Sequence, residues 1–241
     1  MPRRCNFKLE VDYPQPLAGV DEAGCAPLAG PVVAGAVILD RTRFPRGIDD
    51  SKNLPIDKRE SLYGRITDQC VAWGVGVASV EEIDKLNIYW AKMLAMVRAV
   101  EALGLEPAWV LVDGPACPKW DRPSKGIVDG DAKCRSIAAA SIIAKVTRDR
   151  IMADYAGEYP GYGWETNRGY GTPHHWRALR SLGPTPLHRR SFPRVRAAID
   201  QPELVFEEIA AGESFESHTP SVESVPDEMT QHLVVEPRTA A

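Results

Sequence analysis

Four acidic side chains stand where apolar runs of this 241-residue chain end. Asp21 and Glu22 follow Leu17-Ala18-Gly19-Val20, Asp113 follows Trp109-Val110-Leu111-Val112, and Asp131 comes shortly after Gly126-Ile127-Val128. A strand end holds a side chain rigidly yet leaves it within reach of solvent. Carboxylates gathered there from three separate segments repel one another unless a cation lies between them. An oxygen-only donor set suits hard divalent ions, Mg²⁺ or Mn²⁺, and the chemistry of phosphodiesters. Taken singly, each aspartate has an ordinary explanation, because Asp favours strand-to-loop junctions. The recurrence carries the inference.

The elements that must position these groups are legible in the apolar pattern. Val32 to Leu39 after Gly30-Pro31, and Val71 to Val80 with Gly74 and Gly76 alternating with Trp73, Val75 and Val77, read as strands. With the strand ending at Asp21 they predict three neighbouring antiparallel strands. Ser79 and Glu82 have capping-box spacing, and apolar residues from Ile83 to Leu103 keep a helical period, predicting one long helix that stops at Gly104. Strands into Asp113 and Val128 follow, then a helix from about Ser136 to Tyr155 whose small residues suit close packing. A further helix begins near Thr172-Pro173, with Thr as N-cap. Strands first and helix-strand alternation afterwards describe an α/β layered domain with a mixed sheet.

Size and composition limit the possibilities. A chain that is 44% hydrophobic at this length buries one substantial core. The division read from the sequence is an N-terminal arm over residues 1–15, a catalytic domain over 16–200, and an acidic, disordered tail over 201–241. That tail carries nine acidic residues against Arg238 alone, so the net charge of −4 separates into −8 there and +4 for residues 1–200. A basic body around an acidic cluster fits an enzyme acting on a polyanion. Five scattered cysteines without C-x-x-C spacing indicate neither a disulfide framework nor zinc. No apolar run approaches a membrane span and no signal peptide opens the chain, so a soluble, cytoplasmic protein is expected.

Seven ordered motifs within residues 16–198 resemble ribonuclease HII, the bacterial type 2 ribonucleases H. They are Gly19-Val20-Asp21-Glu22-Ala23-Gly24 continuing to Leu28-Ala29-Gly30-Pro31, then Asp50-Ser51-Lys52, Ile83-Asp84-Lys85-Leu86-Asn87, Val112-Asp113-Gly114, and Gly130-Asp131-Ala132-Lys133 leading into Ser136 to Asp149. Arg168-Gly169-Tyr170-Gly171-Thr172 and His188-Arg189-Arg190-Ser191-Phe192 complete the series. The resemblance implies a ribonuclease H-like mixed β-sheet flanked by helices, with a C-terminal helical extension. It places Asp21, Glu22, Asp113 and Asp131 at a carboxylate tetrad that is both catalytic and metal-binding, holding two divalent cations. Asp129 competes for the last place, but its spacing to the Ser136 motif is wrong.

The implied reaction is hydrolysis of the RNA strand of RNA-DNA hybrids, and nicking on the 5′ side of ribonucleotides embedded in duplex DNA, leaving 3′-hydroxyl and 5′-phosphate ends. The implied substrate contacts are Gly24, Cys25, Ala26, Lys52 and Tyr170. The family usually carries Gly-Arg-Gly where this chain reads Gly24-Cys25-Ala26, which removes a cation and replaces a residue free to adopt positive φ. Lys145, Arg148 and Arg190 are further candidates for phosphate contacts or for orienting the carboxylates, whereas His174 and His175 read as loop or helix-start residues. Two alternatives stand beside this reading: a hybrid-binding protein with altered catalysis, and a ribonuclease HIII-like enzyme, disfavoured by the short segment before the first motif. A monomer is expected, with Gln231 to Val235 as a possible weak docking patch for a protein partner.

Overall fold

The computed structural model describes residues 5–200. The acidic tail and its Gln231 to Val235 patch lie outside the described residues. Five strands form one mixed sheet: β1 (Leu17–Ala23), β2 (Val32–Ile38), β3 (Ala72–Ala78), β4 (Trp109–Asp113) and β5 (Ser124–Ile127), in the order β3-β2-β1-β4-β5. β1, β2 and β3 pair antiparallel, as the sequence predicts, while β4 and β5 join in parallel.

One face of the sheet carries α5 (Arg135–Glu158) and the other α3 (Ile88–Glu101). The glycines and alanines explain how closely these layers meet. A Cβ on Gly19 would lie 2.2 Å from the Ser136 backbone, and one on Gly35 would lie 2.5 Å from the Ala140 carbonyl. On the other face a Cβ on Gly76 would lie 2.0 Å from the Ala95 carbonyl. The small-residue helix is therefore a packing surface, pressed onto β1, which carries Asp21 and runs on to Ala23. Ala18, Val20, Val110 and Val112 face α3 and its Met96 and Ala99, whereas Leu17 and Leu111 meet Ile137 of α5.

Two sequence expectations need correction. The long helix from Ser79 to Gly104 is two helices, α2 (Val80–Leu86) and α3, broken at Asn87. Asn87 adopts φ 69° and its side chain accepts from Tyr89 N–H and Trp90 N–H, so it caps a new helix while the apolar period runs on undisturbed. The strand-rich first third also contains α1 (Ile56–Gln69), which buries only Leu62 and Ile66 and so has too thin an apolar stripe to be read. The extension is helical as expected: short α4 (Gly130–Lys133) precedes α5, and α6 (Trp164–Asn167), α7 (Pro173–Leu182) and α8 (Pro193–Asp200) follow it. Thr172 caps α7 through its side chain, with Pro173 in the first turn.

Residues before β1 serve α5. Its N-cap, Cys134, offers no side-chain hydrogen bond. Instead the fully buried Glu10 accepts from Ser136 N–H at 3.0 Å and from the Ser136 hydroxyl at 2.7 Å, capping the helix from a distant segment. Replacing Glu10 with Ala leaves both donors unsatisfied at a cost of about 2 kcal/mol. A thermal melt of Glu10→Ala is expected to fall by about 4–8 °C.

Candidate active site

The parallel pairing of β1 with β4 builds the centre of the site. Val20 lies beside Val112, so the next residues along the two strands, Asp21 and Asp113, stand side by side near the C-terminal ends of β1 and β4. Residues that neighbour one another across parallel strands point to the same face. Both carboxyls lie on the α5 side, where Asp21 receives a hydrogen bond from the Ser141 hydroxyl group. Ser141 is itself 2.8 Å from the Ser51 hydroxyl. Burial, then Glu22, Asp113 and Asp131, hold the Asp21 carboxyl well above the usual range. Burial, followed by Asp131 and Glu22, raises Asp113. Asp113 also accepts from Gly130 N–H at 2.7 Å, which ties β4 to the short helix carrying Asp131.

Strand alternation sends Glu22 to the opposite face. There one carboxylate oxygen receives Lys92 Nζ at 3.2 Å and the Cys25 thiol at 3.4 Å, while the other oxygen is buried without a hydrogen-bond partner. Burial opposes the charge of Lys92, but Glu22, Cys25 and Asp113 together raise the ammonium. Asp131 is similarly paired, its carboxylate receiving Lys52 Nζ at 3.2 Å. Asp131 is 5% exposed, whereas Asp129 projects into solvent beside Lys133. Asp50 lies next to this pair, raised by burial and then by Asp131, and caps the turn Ser51–Asn53 by accepting from Lys52 N–H.

The four carboxylates thus interact electrostatically around the ends of β1 and β4, with a lysine on each flank. Among the described residues no group of three or more His, Cys, Asp and Glu side chains is gathered tightly enough to hold a metal ion as it stands. The donor chemistry still suits a hard divalent cation. All four groups are carboxylates, Asp21 and Asp113 have their charged forms penalised by burial and by neighbouring carboxylates, and Glu22 retains a buried oxygen with no donor.

The loop after Glu22 runs through Gly24-Cys25-Ala26. Of these three only Gly24 has positive φ, at 101°, so Cys and Ala occupy their positions without backbone strain. Cys25 turns inward to Glu22, and Lys92 supplies the nearby positive charge. Tyr170 is 42% exposed beside this loop, because Leu28 N–H donates to Gly169 O at 2.9 Å. Its own carbonyl is anchored from below by a buried imidazole pair. His188 Nδ1 accepts from Thr185 N–H, so its proton sits on Nε2 and points at His175 Nε2, 3.1 Å away. Trp164 Nε1–H donates to the same His175 nitrogen, leaving His175 Nδ1–H to donate to Tyr170 O at 2.9 Å. Burial, then His175, pushes His188 down to about 3, so both rings work as neutral hydrogen-bond relays remote from the carboxylates.

The profile of the family described as Ribonuclease HII matches residues 18–195. The chain belongs to the ribonuclease HII family. It is 65% identical to a Ribonuclease HII of Rhizorhabdus wittichii over 187 residues, 78% of this chain and 92% of that protein. Among solved structures, the ribonuclease H2 of Pyrococcus horikoshii superposes with a TM-score of 0.66 at 29% identity, over 77% of this chain and 97% of that one. The Archaeoglobus fulgidus RNase HII, solved in complex with PCNA, superposes with a TM-score of 0.61 at 25% identity, over 75% and 96%. The ribonuclease H-like fold and the nuclease class expected from the sequence therefore stand, and the HII family is preferred over HIII.

Within this ribonuclease HII, three basic candidates are placed away from the carboxylates. Arg148 is 1% exposed and directs Nε, Nη1 and Nη2 to the carbonyls of Pro31, Arg168 and Ala29, so it does not reach a phosphate. Lys145 pairs with Asp149 at 2.6 Å one helical turn along α5. Arg190 is exposed and its N–H, with that of Ser191, donates to Asp84. Lys92 and Ser141, absent from the sequence-based list of candidates, touch the site. Each is a polar residue within an apolar helical stretch, which is the signal that could have singled it out.

Proposed function

We propose that this ribonuclease HII is a metal-dependent endonuclease that hydrolyses the RNA strand of RNA-DNA hybrids. It also nicks duplex DNA 5′ of an embedded ribonucleotide, leaving 3′-hydroxyl and 5′-phosphate ends. The observation that carries this reading is the register of β1 and β4, which sets Asp21 beside Asp113 near the C-terminal ends of these central strands with Glu22 and Asp131 in electrostatic contact. Asp21, Glu22, Asp113 and Asp131 would hold two Mg²⁺ or Mn²⁺ ions. When bound, such a pair activates an attacking water and stabilises the departing 3′ oxygen in an in-line displacement.

The chain's own residues bind and orient. Lys52, 76% exposed at its side chain, and Lys92 pair with Asp131 and Glu22 before substrate arrives, and on this reading Lys52 turns to phosphate oxygens when it binds. On this reading the peptide groups of Gly24, Cys25 and Ala26 sense the ribose 2′-hydroxyl, and Tyr170, 42% exposed, packs its ring on the sugar. No helix among the described residues is long and apolar enough to cross a membrane. We place the enzyme in the cytoplasm as a monomer with an acidic tail, free to meet duplex nucleic acid. The PCNA complex of the Archaeoglobus relative supports a protein partner, and the Gln231 to Val235 patch is our candidate for its contact.

Labelled duplex DNA with one ribonucleotide, and a uniform RNA-DNA hybrid, test the reading in Mg²⁺ and Mn²⁺. Cutting of both substrates is expected, with Tyr170→Ala lowering junction cleavage by roughly 10-fold, the scale of a lost stacking contact. Cutting of the hybrid alone would refute junction recognition, and folded protein that binds without cutting either would replace the nuclease reading with a hybrid-binding one.

A further inference from the structure

Arg189 is fully buried, and its described acceptors are all carbonyls. Nη2 donates to Gly24 O at 2.6 Å and Pro31 O at 3.2 Å, Nη1 to Cys25 O at 2.9 Å, and Nε to Gly30 O at 2.9 Å. Arg148 approaches the same segment and donates to Pro31 O at 3.0 Å and Ala29 O at 3.2 Å. Asp84, which lies nearby, accepts from the Arg190 and Ser191 N–H groups. Burying two neighbouring guanidiniums on carbonyls alone is expensive, and packing by itself would be better served by apolar side chains. Their placement cinches both ends of the segment that follows the catalytic pair.

The consequence follows from peptide geometry. In a planar trans peptide the C=O and N–H point in opposite directions. With the carbonyls of Gly24 and Cys25 drawn inward to Arg189, the N–H groups of Cys25 and Ala26 are turned outward. Neither N–H has a hydrogen-bond acceptor among the described residues. We infer that Arg189 is the positioning residue for ribonucleotide discrimination, holding the Cys25 and Ala26 N–H groups toward the sugar-phosphate strand so that a 2′-hydroxyl can be their acceptor. This rests on the junction-nicking reading above. A fork is needed because one ammonium cannot span carbonyls from both ends of the segment.

The experiment compares wild type, Arg189→Lys and Arg189→Met as full chains, measuring kcat and KM on the single-ribonucleotide duplex and on the uniform hybrid in Mg²⁺, with melting curves alongside. A uniform hybrid presents a 2′-hydroxyl in every register, so a loosened loop still finds one, whereas a lone ribonucleotide demands the correct orientation. Arg189→Lys keeps the charge but loses the fork, and its junction-to-hybrid ratio is expected to fall by roughly 10-fold, the worth of one peptide hydrogen bond. The loss should lie in kcat more than in KM. An unchanged ratio in a folded variant overturns the inference, while wild type that fails to nick the junction duplex overturns the underlying reading instead. Should Arg189→Lys not fold, the amide resonances of Cys25 and Ala26 in wild type decide. In chelator they should shift with the ribonucleotide duplex and not with all-DNA duplex, and equal shifts with both overturn it.

Discussion

Asp113→Asn is expected to abolish cleavage of both substrates while making the cation-free protein more stable. Asn retains the oxygen that accepts from Gly130 N–H, so the tie between β4 and α4 survives. What disappears is one of the charges raised by burial, Asp131 and Glu22, and with it part of the repulsion on Asp21. As Asp113 is a proposed metal ligand, activity should fall by more than the roughly 10–100-fold that follows loss of an outer-shell partner. Stability should move the other way. A carboxyl whose folded pKa lies above its unfolded value contributes stability fully below the unfolded value of 3.8 and loses it as pH rises through the folded one. In chelator, wild type should therefore lose stability as pH rises from that value, and Asp113→Asn should show a shallower decline. Adding Mg²⁺ or Mn²⁺ should raise the wild-type melting temperature above it. A variant that cuts normally, or a wild type indifferent to both cations, would contradict the proposed site.

Gly24→Ala should damage folding and catalysis together. The residue has φ 101°, which costs an alanine about 1–2 kcal/mol, and its new Cβ would stand 2.0 Å from Arg148 Nε and 2.9 Å from Pro31 O. Arg148 is held by three carbonyls and cannot swing aside without leaving them unsatisfied. Together with an overpacking cost of about 1–3 kcal/mol, a loss near 3 kcal/mol and a melting temperature lower by about 6–12 °C are expected. Gly104→Ala is the matched control. It also has positive φ, 64°, but nothing lies within 4 Å of its added Cβ. Its loss should stay near 1 kcal/mol with cleavage unchanged. If both variants melt alike, the contact with Arg148 contributes nothing and the loop is looser than its hydrogen bonds imply.

The strands of the sheet, the small-residue helix α5 and the acidic side chains that gather near the ends of β1 and β4 are legible in the sequence. Apolar runs that reach Asp21 and Asp113 announce strands, because burial falls off toward the C-terminal ends of β1 and β4. The glycine and alanine positions announce close layers because nothing larger fits. Periodicity cannot detect a break at which the apolar stripe continues, so Asn87 passed for an interior helical residue. It also cannot detect a helix with so little to bury as α1.

Only the tertiary structure decided who faces whom. Arg148 is a candidate phosphate ligand on sequence, and Arg189 stands in the His188 to Phe192 motif. In the fold they are sealed inside and spend their donors on carbonyls, because burial leaves a guanidinium no other acceptors there. Adjacent Asp21 and Glu22 are one acidic pair on paper, yet strand alternation sends them to opposite faces, toward Ser141 and Lys92 respectively. Those partners lie 120 and 70 residues away in sequence. Long-range pairing of that kind is set by strand register and helix packing, which no local pattern encodes.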